Sequence, residues 1–202
     1  MILIGVTGPI AAGKSAVAAA FAEAGAARFD ADAEVWRAYA QEGREALAAL
    51  FPGAFVGGHA DRARLSALVV DDPAALGRLE ALAHPLVAAR RAKFLAAQRA
   101  AGRRAAALEI PLLFETGGGK GVDAVVTVDA PRALRLERAM QRPGMDEAKF
   151  AAIEARQMPA AEKRRRAHFV IETDCALEAS KRQARDALRA LACVDRGADR
   201  DA

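Results

Sequence analysis

An α/β fold with a central parallel five-stranded sheet is predicted by three features of this 202-residue chain. Short apolar runs alternate with helix-forming stretches, the pattern of repeated strand–helix–strand crossovers. The runs are apolar on both faces, as strands buried inside a parallel sheet are. A glycine-bounded loop, Gly8-Pro9-Ile10-Ala11-Ala12-Gly13-Lys14-Ser15, joins the first run to the first helical stretch.

The strand-like runs are Ile2–Val6, Ala27–Asp30, Ala105–Ile110, Ala124–Val128 and Phe169–Glu172. Helices are expected over residues 14–24, 33–50, 131–141, 147–157 and 176–192, and the abundance of Ala favours them. The stretch from 33 to 104 is far longer than one βαβ crossover needs. It reads as a helical insertion able to hold a second substrate, with breaks at Pro52-Gly53, Gly57-Gly58, Asp71-Asp72-Pro73 and His84-Pro85. Residues 1–32 and 105–194 then form the core around the sheet. Gly117 to Gly121 reads as a flexible loop tip, and the charged residues 195–202 as a disordered tail.

The loop fits the pattern Gly-x4-Gly-Lys-[Ser/Thr] and stands between a strand and a helix, where that pattern binds phosphate. Gly8 and Gly13 permit backbone conformations that turn successive N–H groups inward around an anion. The helix beginning near Lys14 adds the positive end of its dipole. Lys14 supplies a mobile charge to the β- and γ-phosphates, and the Ser15 hydroxyl is a ligand for Mg²⁺.

Ligands of parallel sheets bind beyond the carboxyl ends of the strands, so chemistry is sought there. Asp30-Ala31-Asp32 ends the second strand. A phosphoryl acceptor needs a carboxylate to orient its hydroxyl and take the proton. Alternation along an extended chain separates the two carboxylates. Asp32 projects beyond the strand and is the favoured base, while either carboxylate could instead cap the helix starting near Ala33. Glu109, closing the third strand, is placed to hold a metal-bound water. Arg138 and Arg142 lie four apart on the helix beginning near Pro131, ahead of a Pro143-Gly144 break. They read as cations of a closing lid over about 138–166. Lys163-Arg164-Arg165-Arg166 reads as a solvated basic patch, and His84 as a structural histidine.

Composition narrows the function classes. Net charge is +4 with an isoelectric point near 9.4, which suits a polyphosphate ligand. Aromatics make up 5%, with no basic–aromatic stacking platform, so nucleic acid is not the expected partner. Cys175 and Cys193 form no metal or disulfide pattern. There is no long uncharged apolar stretch and no leader-like N-terminus, so the expectation is a cytoplasmic protein without a membrane partner. A regulatory GTPase would need Asn-Lys-x-Asp to read guanine, and the chain contains no Asn.

With these residues in place, the chain resembles the dephospho-CoA kinase family nearly end to end, from residue 2 to about 192. The resemblance is carried by Thr7-Gly8, Gly13-Lys14-Ser15, Asp30-Ala31-Asp32, Asp61-Arg62, Leu79-Glu80, His84-Pro85, Ile110-Pro111-Leu112-Leu113-Phe114-Glu115, Arg138 with Arg142, Arg156-Gln157 and Phe169-Val170-Ile171. It implies a P-loop kinase fold with a helical substrate-binding insertion on the CoA side and a helical lid. It also implies ATP-dependent phosphorylation of the ribose 3′-hydroxyl of dephospho-CoA, with Mg²⁺ carried on ATP. Transferred by position, Asp32 is the general base, and Ala11, Ala12, Gly13, Lys14, Ser15 and Ala16 line ATP. Arg138 and Arg142 serve the phosphates, and His84 becomes a substrate-side residue. The chain departs from the family pattern at Pro9, where Gly is usual, and at Ala11, Ala12 and Ala16. Thr173-Asp174 stands where the family often has Asn-x-Gly.

Overall fold

A computed structural model of the chain describes residues 1–70 and 72–198. In chain order, β1 (Ile2–Thr7), α1 (Lys14–Glu23) and β2 (Ala27–Asp30) open the fold. They are followed by α2 (Ala31–Ala40), α3 (Arg44–Leu50), β3 (Phe55–Val56), β4 (His59–Ala60), α4 (Arg62–Val69) and α5 (Pro73–Ala100). Then come β5 (Ala105–Glu109), β6 (Ala124–Asp129), α6 (Arg132–Met140), α7 (Glu147–Ala155), α8 (Ala160–Arg166), β7 (Phe169–Glu172) and α9 (Leu177–Ala198).

Five strands form one parallel sheet in the order β2-β5-β1-β6-β7, the P-loop kinase arrangement. Ile4 pairs with Ala107 on one side and Ala124 on the other, which makes β1 the central strand. Every residue of β5 and β6 is buried. That burial explains why apolar residues run continuously along these strands instead of alternating. Ile4, Val6, Val126, Val128 and Ile171 pack against Val17 and Phe21 of α1 and Ala184 and Ala187 of α9. The chain leaves β1 toward β2 on one side of the sheet and later adds β6 on the other. The loop after β1 therefore sits at the switch in strand order, where such sheets bind ligands.

The chain divides into two compact units, Met1–Phe29 together with Gln98 onward, and Asp30–Ala97. The second unit has its own core, in which Tyr39, Leu47, Phe51, Leu65 and Val69 are buried with Trp36, Leu79 and Leu82 against them. Within this unit Arg90 donates to Glu34 at 2.9 Å and to Glu42 at 2.6 Å, fastening α5 to α2 and its C-terminal turn.

Several sequence expectations change here. The helix expected over 33–50 is two helices, because the chain turns at Gln41 to Gly43, where Gly43 N donates to Ala38 O at 2.8 Å. Gly57 and Gly58 adopt φ of 56° and 81°, the left-handed pair that closes a two-residue hairpin between β3 and β4. Pro52 opens a short 3₁₀ turn, and Asp72 caps α5 by accepting from Ala75 N at 2.9 Å; Asp71 lies outside the described residues. His84-Pro85 does not break the chain, since Pro85 sits inside α5. An interior Pro costs about 3 kcal/mol. Leu79, Leu82 and Ala83, packed in the unit's core, offset it. Helix α9 runs to Ala198, into the segment expected as a tail, because no Pro interrupts its register; residues 199–202 lie outside the described ones.

Candidate active site

Phosphate-loop geometry follows from its residue types. Gly8 adopts φ 149°, and a Cβ there would stand 2.1 Å from Val128 O of the neighbouring strand, so no other residue fits. Gly13 is left-handed at φ 92° and starts α1 without a side-chain cap; the helix's first turn holds no acidic residue. The positive end of the dipole is thus uncompensated by carboxylates of that turn. Ala11 also adopts a left-handed φ of 60°, unusual for a residue with a Cβ. Packing holds it there: Ile10 and Ala11 are buried against Ala139 of α6 and Phe150 of α7, and Ile10 N donates to Gln157 Oε1 at 2.8 Å. The segment expected as a lid therefore packs on the loop itself. Pro9 has no N–H, but its carbonyl accepts from Ala12 N at 3.3 Å and from Lys14 Nζ at 2.9 Å.

Lys14 Nζ also donates to Gly8 O at 3.0 Å, so the ammonium lies folded along the loop. Ser15 Oγ donates to Glu109 Oε1 at 2.6 Å, and Arg28 Nη2 meets Glu109 Oε2 at 2.9 Å. Glu109 is buried at the end of β5, and these two partners are what make a buried carboxylate tolerable. A hydroxyl that spends its proton on a carboxylate keeps its lone pairs for a cation. This set of oxygen donors is the kind Mg²⁺ prefers when phosphates supply its remaining protein-independent ligands. Among the described residues no cluster of three or more His, Cys, Asp or Glu side chains forms a self-sufficient metal site.

Beside the loop lies a cavity of about 430 Å³ whose walls include Ala11, Gly13, Ala16, Arg138, Arg142 and Thr173. The structure thus brings both lid arginines to the phosphate loop, although Arg142 stands past the end of α6 at Met140 instead of on its face. Lys181 and Cys175 complete the wall on the α9 side, and sequence reading had singled out neither as a ligand. Both cysteines are exposed free thiols. Ala12 is buried, and its carbonyl accepts from Thr173 Oγ1 at 2.7 Å.

Asp30, Asp32 and His84 belong to the second unit. Asp30 ends β2 in an extended conformation and caps α2, accepting from Ala33 N at 3.0 Å. Asp32 is exposed in the first turn of that helix, not on an extended chain, so helical geometry separates the two carboxylates. His84 is exposed on α5.

Of the basic run on α8, Arg164, Arg165 and Arg166 are exposed as expected, and Lys163 is not. Four successive helical residues spread around the helix and cannot all face water. Lys163 is fully buried, with Nζ 2.8 Å from Glu115 Oε1 and 3.1 Å from Pro111 O. Burial alone would push the Glu115 carboxyl up; hydrogen bonds from Lys163 and Met158 N outweigh it and hold it below the usual carboxylate range. Arg164 bridges Asp129 and Glu172 at 3.2 and 3.0 Å. Lys163 thus locks α8 to the segment after β5.

Comparison with known proteins agrees with this geometry. The family described as dephospho-CoA kinase matches residues 2–179. A dephospho-CoA kinase of Rhodopseudomonas palustris is 47% identical over 199 residues, covering 98% of this chain and 100% of that protein. One from Mesorhizobium japonicum is 51% identical over 181 residues, covering 90% and 92%. Among solved structures, TT1252 from Thermus thermophilus superposes with a TM-score of 0.79 at 40% identity, covering 94% of this chain and 96% of that one. A shikimate kinase from Acinetobacter baumannii shares the fold alone, with a TM-score of 0.51 at 18% identity over 96% of this chain and 94% of the other.

Proposed function

We propose that this chain, which belongs to the dephospho-CoA kinase family, transfers the γ-phosphoryl group of ATP to the ribose 3′-hydroxyl of dephospho-CoA, giving CoA and ADP. The observation that carries the reading is the cavity in which the phosphate loop faces Arg138 and Arg142. A loop that ends on the uncapped start of α1, opposite two cations, suits a nucleotide triphosphate and the charge that develops as its terminal group moves.

In this reading Gly8 and Ala11 through Ala16 cradle the ATP phosphates. Lys14 exchanges its carbonyl partners for the β- and γ-phosphates, and Arg138 and Arg142 cover the transferring group. Mg²⁺ bound with ATP would supply neutralising positive charge to the phosphates. Ser15 would hold it, with Glu109 fixing the Ser15 hydroxyl. The helical unit, Asp30–Ala97, takes dephospho-CoA. Asp32 accepts the 3′-hydroxyl proton as the 3′-oxygen bonds to phosphorus and the bond from phosphorus to the β-phosphate oxygen breaks. His84 contacts the acceptor. The segment 138–166 acts as the lid, with Gln157 and Phe150 joining it to the loop. A cytoplasmic enzyme fits the two unpaired thiols. Among the described residues no helix is long and apolar enough to cross a membrane.

The test is ADP release from ATP-Mg²⁺ with a panel of acceptors. Dephospho-CoA should stimulate it strongly, and shikimate, gluconate and AMP hardly at all; equal turnover with any of these three would overturn the reading.

A further inference from the structure

We infer that Thr173 is a positioning residue that anchors Arg138 to the phosphate loop without cancelling its charge. The inference rests on the reading of Arg138 given above and concerns a residue at which the chain departs from the family pattern. Thr173 follows β7 directly and is buried. Its backbone is fixed by its own N–H, which donates to Asp129 O at 3.0 Å. Its hydroxyl has one proton, and the shorter of its two contacts sends that proton to Ala12 O of the loop at 2.7 Å, against 3.3 Å to Asp129 O. The lone pairs are then available, and Arg138 Nη1 donates to Oγ1 at 3.0 Å. The same guanidinium donates from Nη2 to Thr173 O at 2.6 Å.

One residue therefore holds both tips of the guanidinium while its hydroxyl clasps the loop carbonyl. A guanidinium carries five N–H donors, so two bonds to Thr173 leave three for phosphate oxygens. Holding a long side chain in place before the nucleotide arrives removes its ordering cost from the binding or transfer step. The chemistry of the anchor matters as much as its position. A carboxylate here would neutralise Arg138 and compete with phosphate for it, whereas a neutral hydroxyl and carbonyl orient the cation and leave its charge intact. Thr173 and Arg138 both line the cavity beside Gly13, so the anchored cation stands at the nucleotide site.

The experiment is steady-state kinetics on Thr173→Val, Thr173→Ser, Arg138→Ala and the Thr173→Val/Arg138→Ala double variant, with thermal melts of each. Thr173→Val keeps the shape and loses the hydroxyl. It should lower kcat about tenfold or more, the scale of a lost hydrogen bond to a charged group. KM for dephospho-CoA should stay within about twofold, because the acceptor does not touch Arg138's anchor. Thr173→Ser should restore most of kcat, and Thr173→Ala should reproduce the loss if the valine variant does not fold. On the Arg138→Ala background the valine substitution should cost less than about twofold, since its effect runs through Arg138. A normal kcat in folded Thr173→Val, a serine variant as impaired as the valine one, or a full loss persisting without Arg138 would each overturn the inference. A wild-type chain inactive toward dephospho-CoA would instead overturn the reading of the site, so the two failures are separable.

Discussion

The Ser15 hydroxyl donates a 2.6 Å hydrogen bond to Glu109 Oε1, and Arg28 meets the other oxygen of that carboxylate at 2.9 Å. This pair ties the start of α1 to the end of β5 and sets which way the hydroxyl lone pairs face. Ser15→Ala should raise the Mg²⁺ concentration needed for half-maximal activity. Glu109→Gln, which loosens the hydroxyl without deleting it, should raise it by about tenfold. Mg²⁺-dependent thermal stabilisation in the presence of ADP should weaken in parallel. An unchanged Mg²⁺ dependence in both variants would remove Ser15 from the metal.

Asp30 and Asp32 should separate cleanly. Asp30 accepts from Ala33 N as the cap of α2, so Asp30→Ala should cost about 1 kcal/mol of stability. Asp32→Asn should stay folded and lower kcat roughly 10²–10⁴-fold, the range for one acid–base group. ATP affinity, measured by calorimetry, should hardly move. A normally active Asp32→Asn enzyme would take the proton-accepting role away from that residue.

How far these features could be read from sequence depends on the range of the interactions behind them. The phosphate loop and the five strands were legible because each is local: a glycine-bounded run before Lys14-Ser15, and apolar stretches buried on both faces. Three of the strands end within a residue of the expected limits, and Ala27–Asp30 and Phe169–Glu172 coincide with them. That one of Asp30 and Asp32 caps a helix was legible for the same reason, but which one was not, because the helix begins at Ala31 and not near Ala33. Pro85 misled, because local propensity predicts a break while packing of Leu79 and Leu82 keeps the helix intact. Lys163 misled because a run of four cations looks solvated, and its partner Glu115 is distant in sequence. Thr173 had no local signal at all. Its role appears only when Ala12 O, Asp129 and Arg138 converge on one side chain.

The Lys163–Glu115 pair makes a prediction about pH. Because the folded state holds the Glu115 carboxyl below its ordinary value of 4.5, it binds the proton less tightly than the unfolded chain does. The stabilisation is present above the ordinary value and is lost as pH falls through the lowered one. Wild type should therefore lose more stability on acidification below about pH 4.5 than Glu115→Gln does. At neutral pH, Glu115→Gln should cost about 3–5 kcal/mol, because it leaves the buried Lys163 ammonium without its carboxylate. Chemical denaturation across pH checks both. Parallel acid profiles for wild type and Glu115→Gln would show the pair is not coupled to folding.

The proposed function turns on where the phosphoryl group goes. The most direct measurement is phosphorus NMR of the product formed from dephospho-CoA and ATP-Mg²⁺, with a Lys14→Ala sample alongside. The product should carry one new phosphomonoester coupled to the ribose 3′-proton, and Lys14→Ala should form it on the order of 10²–10³ times more slowly. Phosphate at any other hydroxyl, or ATP consumed with dephospho-CoA left unmodified, would contradict it.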